Sequence, residues 1–139
     1  MEVSLVLFGI IFSDLGQAGS FMALDWVREG LHKSLGFAPF PATLNLRPKA
    51  DKDAETWEAV QNGSGGIFLA PMQGRFCSAR LYPVRIHGRE GSGAEVPCAV
   101  LLPDVKDYPR DKIEVVAPMH LKEALGVKDG DLLKLEFVN

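Results

Sequence analysis

Short apolar runs cut apart by glycine and proline constrain this chain more than any other feature. They cover Val3 to Phe12, Ala42 to Leu46, Ile67 to Leu69, Phe76 to Ile86, Val96 to Leu102, Ile113 to Ala117 and Leu133 to Phe137. Each is rich in residues that suit a pleated, half-buried surface. In the last run Leu133, Leu135 and Phe137 alternate with Lys134 and Glu136, the period of a strand with one buried face. The connections between the later runs are short, which favours antiparallel pairing. Helical spacing is confined to three stretches. Leu24, Val27, Leu31 and Leu35 form a stripe that Gly36 ends, Asp51 to Gln61 carries a weak pattern around Trp57 and Val60, and Met119 to Leu125 follows Pro118 at the first helical position and stops at Gly126. Many strands and few helices make a closed barrel the economical solution, because closure leaves fewest exposed edges. The expected fold is mainly β, a closed or nearly closed barrel of six or more strands with two or three short helices.

With 139 residues, 47% of them hydrophobic and 24% charged, the chain is expected to be one domain over residues 1–139 around its own core. No N-terminal helix-turn-helix domain is expected. The net charge of −3 lacks the basic field of a nucleic-acid binder, so no nucleic-acid partner is expected. Val3 to Phe12 follows Glu2 rather than basic residues and falls well short of the roughly 20 residues that span a bilayer. A cytoplasmic protein with no membrane partner is expected. Cys77 and Cys98 form no CxxC pair and have only three histidines for company, so they read as buried free thiols rather than as a zinc site.

The common catalytic signatures GxxxxGKS/T, GxSxG and HExxH are missing from the sequence, and residues 15–19 do not match GxGxxG. What remains is a small-residue loop ahead of a helix, a Thr43-x-Asn45 pair on one face of a strand, and Glu114 on a strand that runs into the helix start at Pro118. Backbone N–H groups of such loops and helix starts suit phosphate oxygens, and Thr and Asn oxygens are hard donors that suit Mg²⁺. Each feature also has a plainer reading. Thr43 and Asn45 can simply begin a strand, and Glu114 can point outward into water. His120, like the charged run from Lys49 to Glu58, can be solvated surface, while Trp26, Trp57, Phe37 and Phe40 fill a core. Asp14, Asp104, Asp107 and Glu114 all stand as carboxylates for a general base, and no catalytic residue is singled out.

Several blocks together carry a resemblance. They are Ser13-Asp14-Leu15-Gly16-Gln17-Ala18-Gly19-Ser20-Phe21, Leu35-Gly36-Phe37-Ala38-Pro39-Phe40-Pro41-Ala42-Thr43-Leu44-Asn45-Leu46, Ala99 to Pro103, Tyr108-Pro109, Ile113 to Lys122 and Lys128-Asp129-Gly130-Asp131. In order and spacing the chain resembles the archaeal-type CTP-dependent riboflavin kinase family nearly throughout, residues 50–70 being the main exception. The resemblance implies a six-stranded cradle-loop barrel of the RIFT-like type, with CTP and riboflavin as substrates and FMN and CDP as products. It implies that Asp14, Leu15, Gly16, Gln17, Ala18 and Gly19 wrap the nucleotide together with Met119, His120, Leu121 and Lys122. It implies that Thr43 and Asn45 hold Mg²⁺, and that Lys106 and Glu114 touch the flavin. The chain departs from the family pattern at Asp14, Ala18 and Ala42, where glycine is usual, at Lys106 for threonine and at Lys122 for arginine. Those lost glycines motivate the alternative, a module of the same fold that holds a flavin or nucleotide without turning it over. A DNA-binding barrel is disfavoured by the acidic balance.

Overall fold

The computed structural model describes residues 5–13, 25–40, 42–63, 65–69, 78–88, 95–104 and 108–138. The chain runs β1 (Leu5–Phe12), α1 (Asp25–Leu35), β2 (Leu44–Pro48), α2 (Asp51–Asn62), β3 (Ile67–Leu69), β4 (Ala79–His87), β5 (Glu95–Pro103), β6 (Ile113–Val116), α3 (Leu121–Leu125) and β7 (Leu132–Phe137). Every strand pairing among them is antiparallel. Six strands in the order β4-β5-β6-β2-β1-β7 close on themselves through β4 and β7, as the mainly β expectation holds. The β4 edge is shared, with β3 on Ala79 to Leu81 and β7 on Val84 to His87.

The period-two pattern explains the core. Leu7, Ile11, Leu46, Ile86, Val100, Val115, Leu133 and Leu135 are buried together inside the barrel. Gly9 sits where β1 crosses β2, and a Cβ there would come within 3.0 Å of the Leu46 Cβ, so the glycine that interrupts the first run permits close strand approach. α2 adds Trp57 and Val60 to the same core, with the Trp57 ring edge-on to Tyr82 and stacked on Phe137. On the outer surface α1 covers the sheet, where Leu31 packs with Leu69, Leu81, Ala99, Leu101 and Val116.

Two boundaries differ from expectation for visible reasons. The second strand begins at Leu44 rather than Ala42, because the Ala42 N–H bonds back to the Phe40 carbonyl, and it continues to Pro48 opposite Gly9. The third helix begins at Leu121, not at Pro118. The Ala117 carbonyl is taken by the Phe40 N–H, and the first helical bond runs from Ala124 N–H to His120. Gly126, at φ 65°, ends that helix as expected, and Gly36, at φ 80°, ends α1.

The charged run from Lys49 to Glu58 is mostly exposed but hides an exception. Asp53 is only 3% exposed, and its carboxylate accepts the Phe8 N–H at 2.9 Å and the Ala50 N–H at 3.1 Å, tying α2 to β1. Cys98 is buried and free, while Cys77 lies outside the described residues. Among the described residues no helix is long and apolar enough to cross a membrane.

Candidate functional site

Three of the residues singled out in the sequence meet through one strand pairing. β2 and β6 run antiparallel with Asn45 directly opposite Glu114 and Leu44 opposite Val115. Leu44, Leu46, Ile113 and Val115 point into the barrel, so alternation turns Asn45 and Glu114 to the outer face, where Thr43 follows them. That outer face is not solvent here. Glu114 is 5% exposed and Asn45 9%.

The Glu114 carboxylate is held on both oxygens. Oε2 accepts the Thr43 hydroxyl at 3.3 Å, and Oε1 accepts the Tyr108 hydroxyl at 2.5 Å. Lys112 Nζ lies 3.4 Å from Oε1 and 5.6 Å from the centre of the Tyr108 ring. Burial of a carboxylate is tolerable only with such partners. Asn45 stands differently, since its Oδ1 is buried and has no hydrogen-bond partner. A buried acceptor left open costs stability and calls for a partner such as an ion or an ordered water.

That orphan oxygen tests whether a metal fits. Among the described residues no three His, Cys, Asp or Glu side chains group together, so the ligand set of a zinc site is absent there. An amide oxygen, a hydroxyl and a neighbouring carboxylate instead match Mg²⁺, which accepts a few protein oxygens and takes the rest from water and phosphate. Thr43 and Asn45 fit the ion.

Thr43 also lines a cavity of about 80 Å³ with Phe40, Met119, His120, Leu121 and Lys122. The structure thereby brings Thr43, one of the expected metal pair, and the expected nucleotide segment 119–122 to one cavity. The Phe40 and His120 rings lie 5.3 Å apart at 57°, and His120 is half-buried with its Nδ1 buried and without a partner. Lys122 Nζ is 2.8 Å from Asp129 Oδ1 and 3.4 Å from the Ser13 hydroxyl, which itself donates to Asp129 Oδ2. The Lys122 and Ser13 hydrogen bonds hold the exposed Asp129 carboxyl below its ordinary value. Ser13 directly follows β1, so this cluster sits at the point in the chain next to residues 14–19.

A second cavity, of about 450 Å³, opens beside Tyr108. Tyr108 lines it together with Asn62, Phe68, Arg80, Asp104 and Arg110. Phe68 is 64% exposed, an aromatic ring offered to that space. Asp104 accepts a long hydrogen bond from the Ser78 hydroxyl at 3.4 Å. Asp14, Leu15, Gly16, Gln17, Ala18 and Gly19, together with Lys106 and Asp107, lie outside the described residues. Sequence reasoning missed Tyr108 and Lys112 as partners of Glu114. The Tyr108-Pro109 motif was a signal, but only the fold turns it toward the carboxylate.

Residues 11–137 match a family model for CTP-dependent riboflavin kinases, described as "Domain of unknown function DUF120". Among curated proteins, the chain is 35% identical over 136 residues to "Riboflavin kinase" of Methanoregula boonei, covering 92% of this chain and 55% of that protein. It is 35% identical over 129 residues to "Riboflavin kinase" of Methanocella arvoryzae, covering 91% and 54% respectively. To "Riboflavin kinase" of Pyrobaculum arsenaticum it is 32% identical over 136 residues, covering 96% and 60%. The chain thus spans between about half and three fifths of the length of these relatives.

Proposed function

The chain belongs to the CTP-dependent riboflavin kinase family, and we propose that it transfers the terminal phosphoryl group of CTP to the 5′-hydroxyl of riboflavin, giving FMN and CDP. The observation that carries this proposal is the β2–β6 register. It sets Asn45 opposite Glu114 and brings Thr43 to the same carboxylate, beside the cavity that Met119 to Lys122 line.

Phosphoryl transfer asks mainly for alignment and for neutralisation of charge on the phosphate oxygens. Thr43 Oγ1 and Asn45 Oδ1 hold Mg²⁺, which supplies that charge when bound. Phe40, Met119 and His120 wall the small cavity on the nucleotide side. Lys122 brings a cation that exchanges Asp129 for a phosphate oxygen, and the loop Asp14 to Gly19 adds backbone N–H donors. On the acceptor side, the larger cavity takes the flavin ring. Phe68 gives it an aromatic face, and Arg80, Arg110 and Asn62 give donors to ring carbonyls. Glu114, hydrogen-bonded to a residue of each cavity, accepts from the flavin, and Lys106 donates to it. The 5′-hydroxyl oxygen then attacks the terminal phosphorus, the bond to the CDP oxygen breaks, and the hydroxyl proton is released to water.

Incubation of the folded protein with riboflavin, Mg²⁺ and either CTP or ATP, followed by chromatography for FMN, tests this directly. FMN formed with CTP in preference to ATP supports the proposal. No FMN with any nucleoside triphosphate leaves the binding module in its place.

A further inference from the structure

Glu114 hydrogen-bonds to a residue of each cavity, since Thr43 lines the smaller and Tyr108 the larger. We infer that Tyr108 is a positioning residue that acts through Glu114 on the hydroxyl of Thr43 and thereby links the acceptor side to the metal pair. The inference rests on the kinase proposal above and adds to it a residue and a coupling.

The two bonds on the carboxylate are unequal. At 2.5 Å the Tyr108 bond is in the short range typical of a hydroxyl donating to a carboxylate, whereas the Thr43 bond at 3.3 Å is long and weak. The stronger contact sets the plane of the carboxylate, and the weaker one follows it. A threonine hydroxyl has one proton and two lone pairs. While that proton is donated to Glu114 Oε2, only lone pairs remain for a cation. Loss of the Tyr108 hydroxyl leaves Oε1 to Lys112, 3.4 Å away, and lets the carboxylate turn toward it. Thr43 then has no fixed acceptor, and its proton spends part of its time facing the cation.

Tyr108 has a simpler role available, as one partner that a buried carboxylate needs in order to be buried. That role predicts a less stable protein with an unaltered metal site. The two are separated by calorimetric titration of the full chain with CDP, with and without Mg²⁺, in wild type and in Tyr108→Phe. The wild type should bind CDP more tightly with Mg²⁺ than without. In Tyr108→Phe the Mg²⁺-dependent gain should fall by about tenfold, the scale of one lost hydrogen bond to a charged group, while CDP affinity without Mg²⁺ stays unchanged. In a Thr43→Val background, which has no hydroxyl to orient, Tyr108→Phe should remove nothing further. If Tyr108→Phe does not fold, Glu114→Gln takes its place, since an amide keeps the shape but can accept on only one side.

A full Mg²⁺-dependent gain in Tyr108→Phe, with only a lower melting temperature, overturns the positioning role and leaves the kinase proposal standing. Equal losses in the Thr43→Val and wild-type backgrounds overturn the route through Thr43. A wild type that forms no FMN and gains nothing from Mg²⁺ in binding CDP overturns the kinase proposal and this inference with it.

Discussion

Replacing Asn45 with leucine is predicted to make the protein more stable and less active at once. Asn45 is 9% exposed, and its Oδ1 is buried without a partner. An unpaired buried acceptor costs about 1–3 kcal/mol, whereas an apolar group of similar shape in its place costs little. Leucine has the same number of side-chain heavy atoms as asparagine, branched at the same carbon, and joins an outer face that already holds Leu101 and Val116. A net gain of about 1–2 kcal/mol follows, which corresponds to roughly 4–8 °C in melting temperature for a domain of this size. Scanning calorimetry in chelator, without Mg²⁺ or nucleotide, measures that gain. The same variant loses an oxygen that the metal needs, so FMN formation should fall by about tenfold to a hundredfold, with a raised Mg²⁺ requirement. An Asn45→Leu protein that melts several degrees below wild type would refute the orphan-oxygen argument. One that keeps the wild-type Mg²⁺ dependence would remove Asn45 from the metal site.

Asp53→Ala should lower stability by about 3 kcal/mol, because it strands the Phe8 and Ala50 N–H groups together, seen as a lower urea midpoint at unchanged slope. Asp129 has its folded pKa lowered, first by Lys122 and then by Ser13, so its stabilising effect is complete above the unfolded value near 3.8 and is lost as pH falls through the folded value. Urea midpoints in that acid window should fall less steeply for Asp129→Asn, and an identical pH profile would contradict this. Burial pushes the Cys98 thiol up to about 12, so a folded Cys77→Ser protein should resist a thiol reagent at about pH 8 until urea unfolds it. Fast labelling of the native form would show the thiol to be reachable.

Much of the barrel was legible because local pattern and tertiary burial agree. The Leu133, Leu135 and Phe137 alternation is buried as read, and the helical stripe ends at Gly36 in the left-handed region. Thr43 and Asn45 could be placed on one face of a strand, though Thr43 precedes the paired part. Illegible were the facts that depend on how segments fold over one another. Alternation turns Glu114 outward, which in an open sheet means water, but Tyr108 and Lys112 close over it. Asp53 sits in a charged run whose other members are mostly exposed, and only the approach of β1 makes it a buried acceptor. Neither distinction is carried by residue type or spacing, because the first is set by how the turn ahead of β6 folds back over Glu114 and the second by how closely β1 approaches α2.

The barrel closes through its last strand. β7 lies between β1 and β4, pairing Leu5 to Ile10 on one edge and Val84 to His87 on the other. A chain emerging from the ribosome therefore carries two unfinished β edges until Leu132 to Phe137 has been made, and the strands that present Asn45 and Glu114 are waiting by then. Because that closure joins the earliest strand to the latest, it belongs to the slow, non-local class of folding steps. Damage to β7 would act on the nascent protein first, leaving open edges able to recruit other chains before any ligand site is complete.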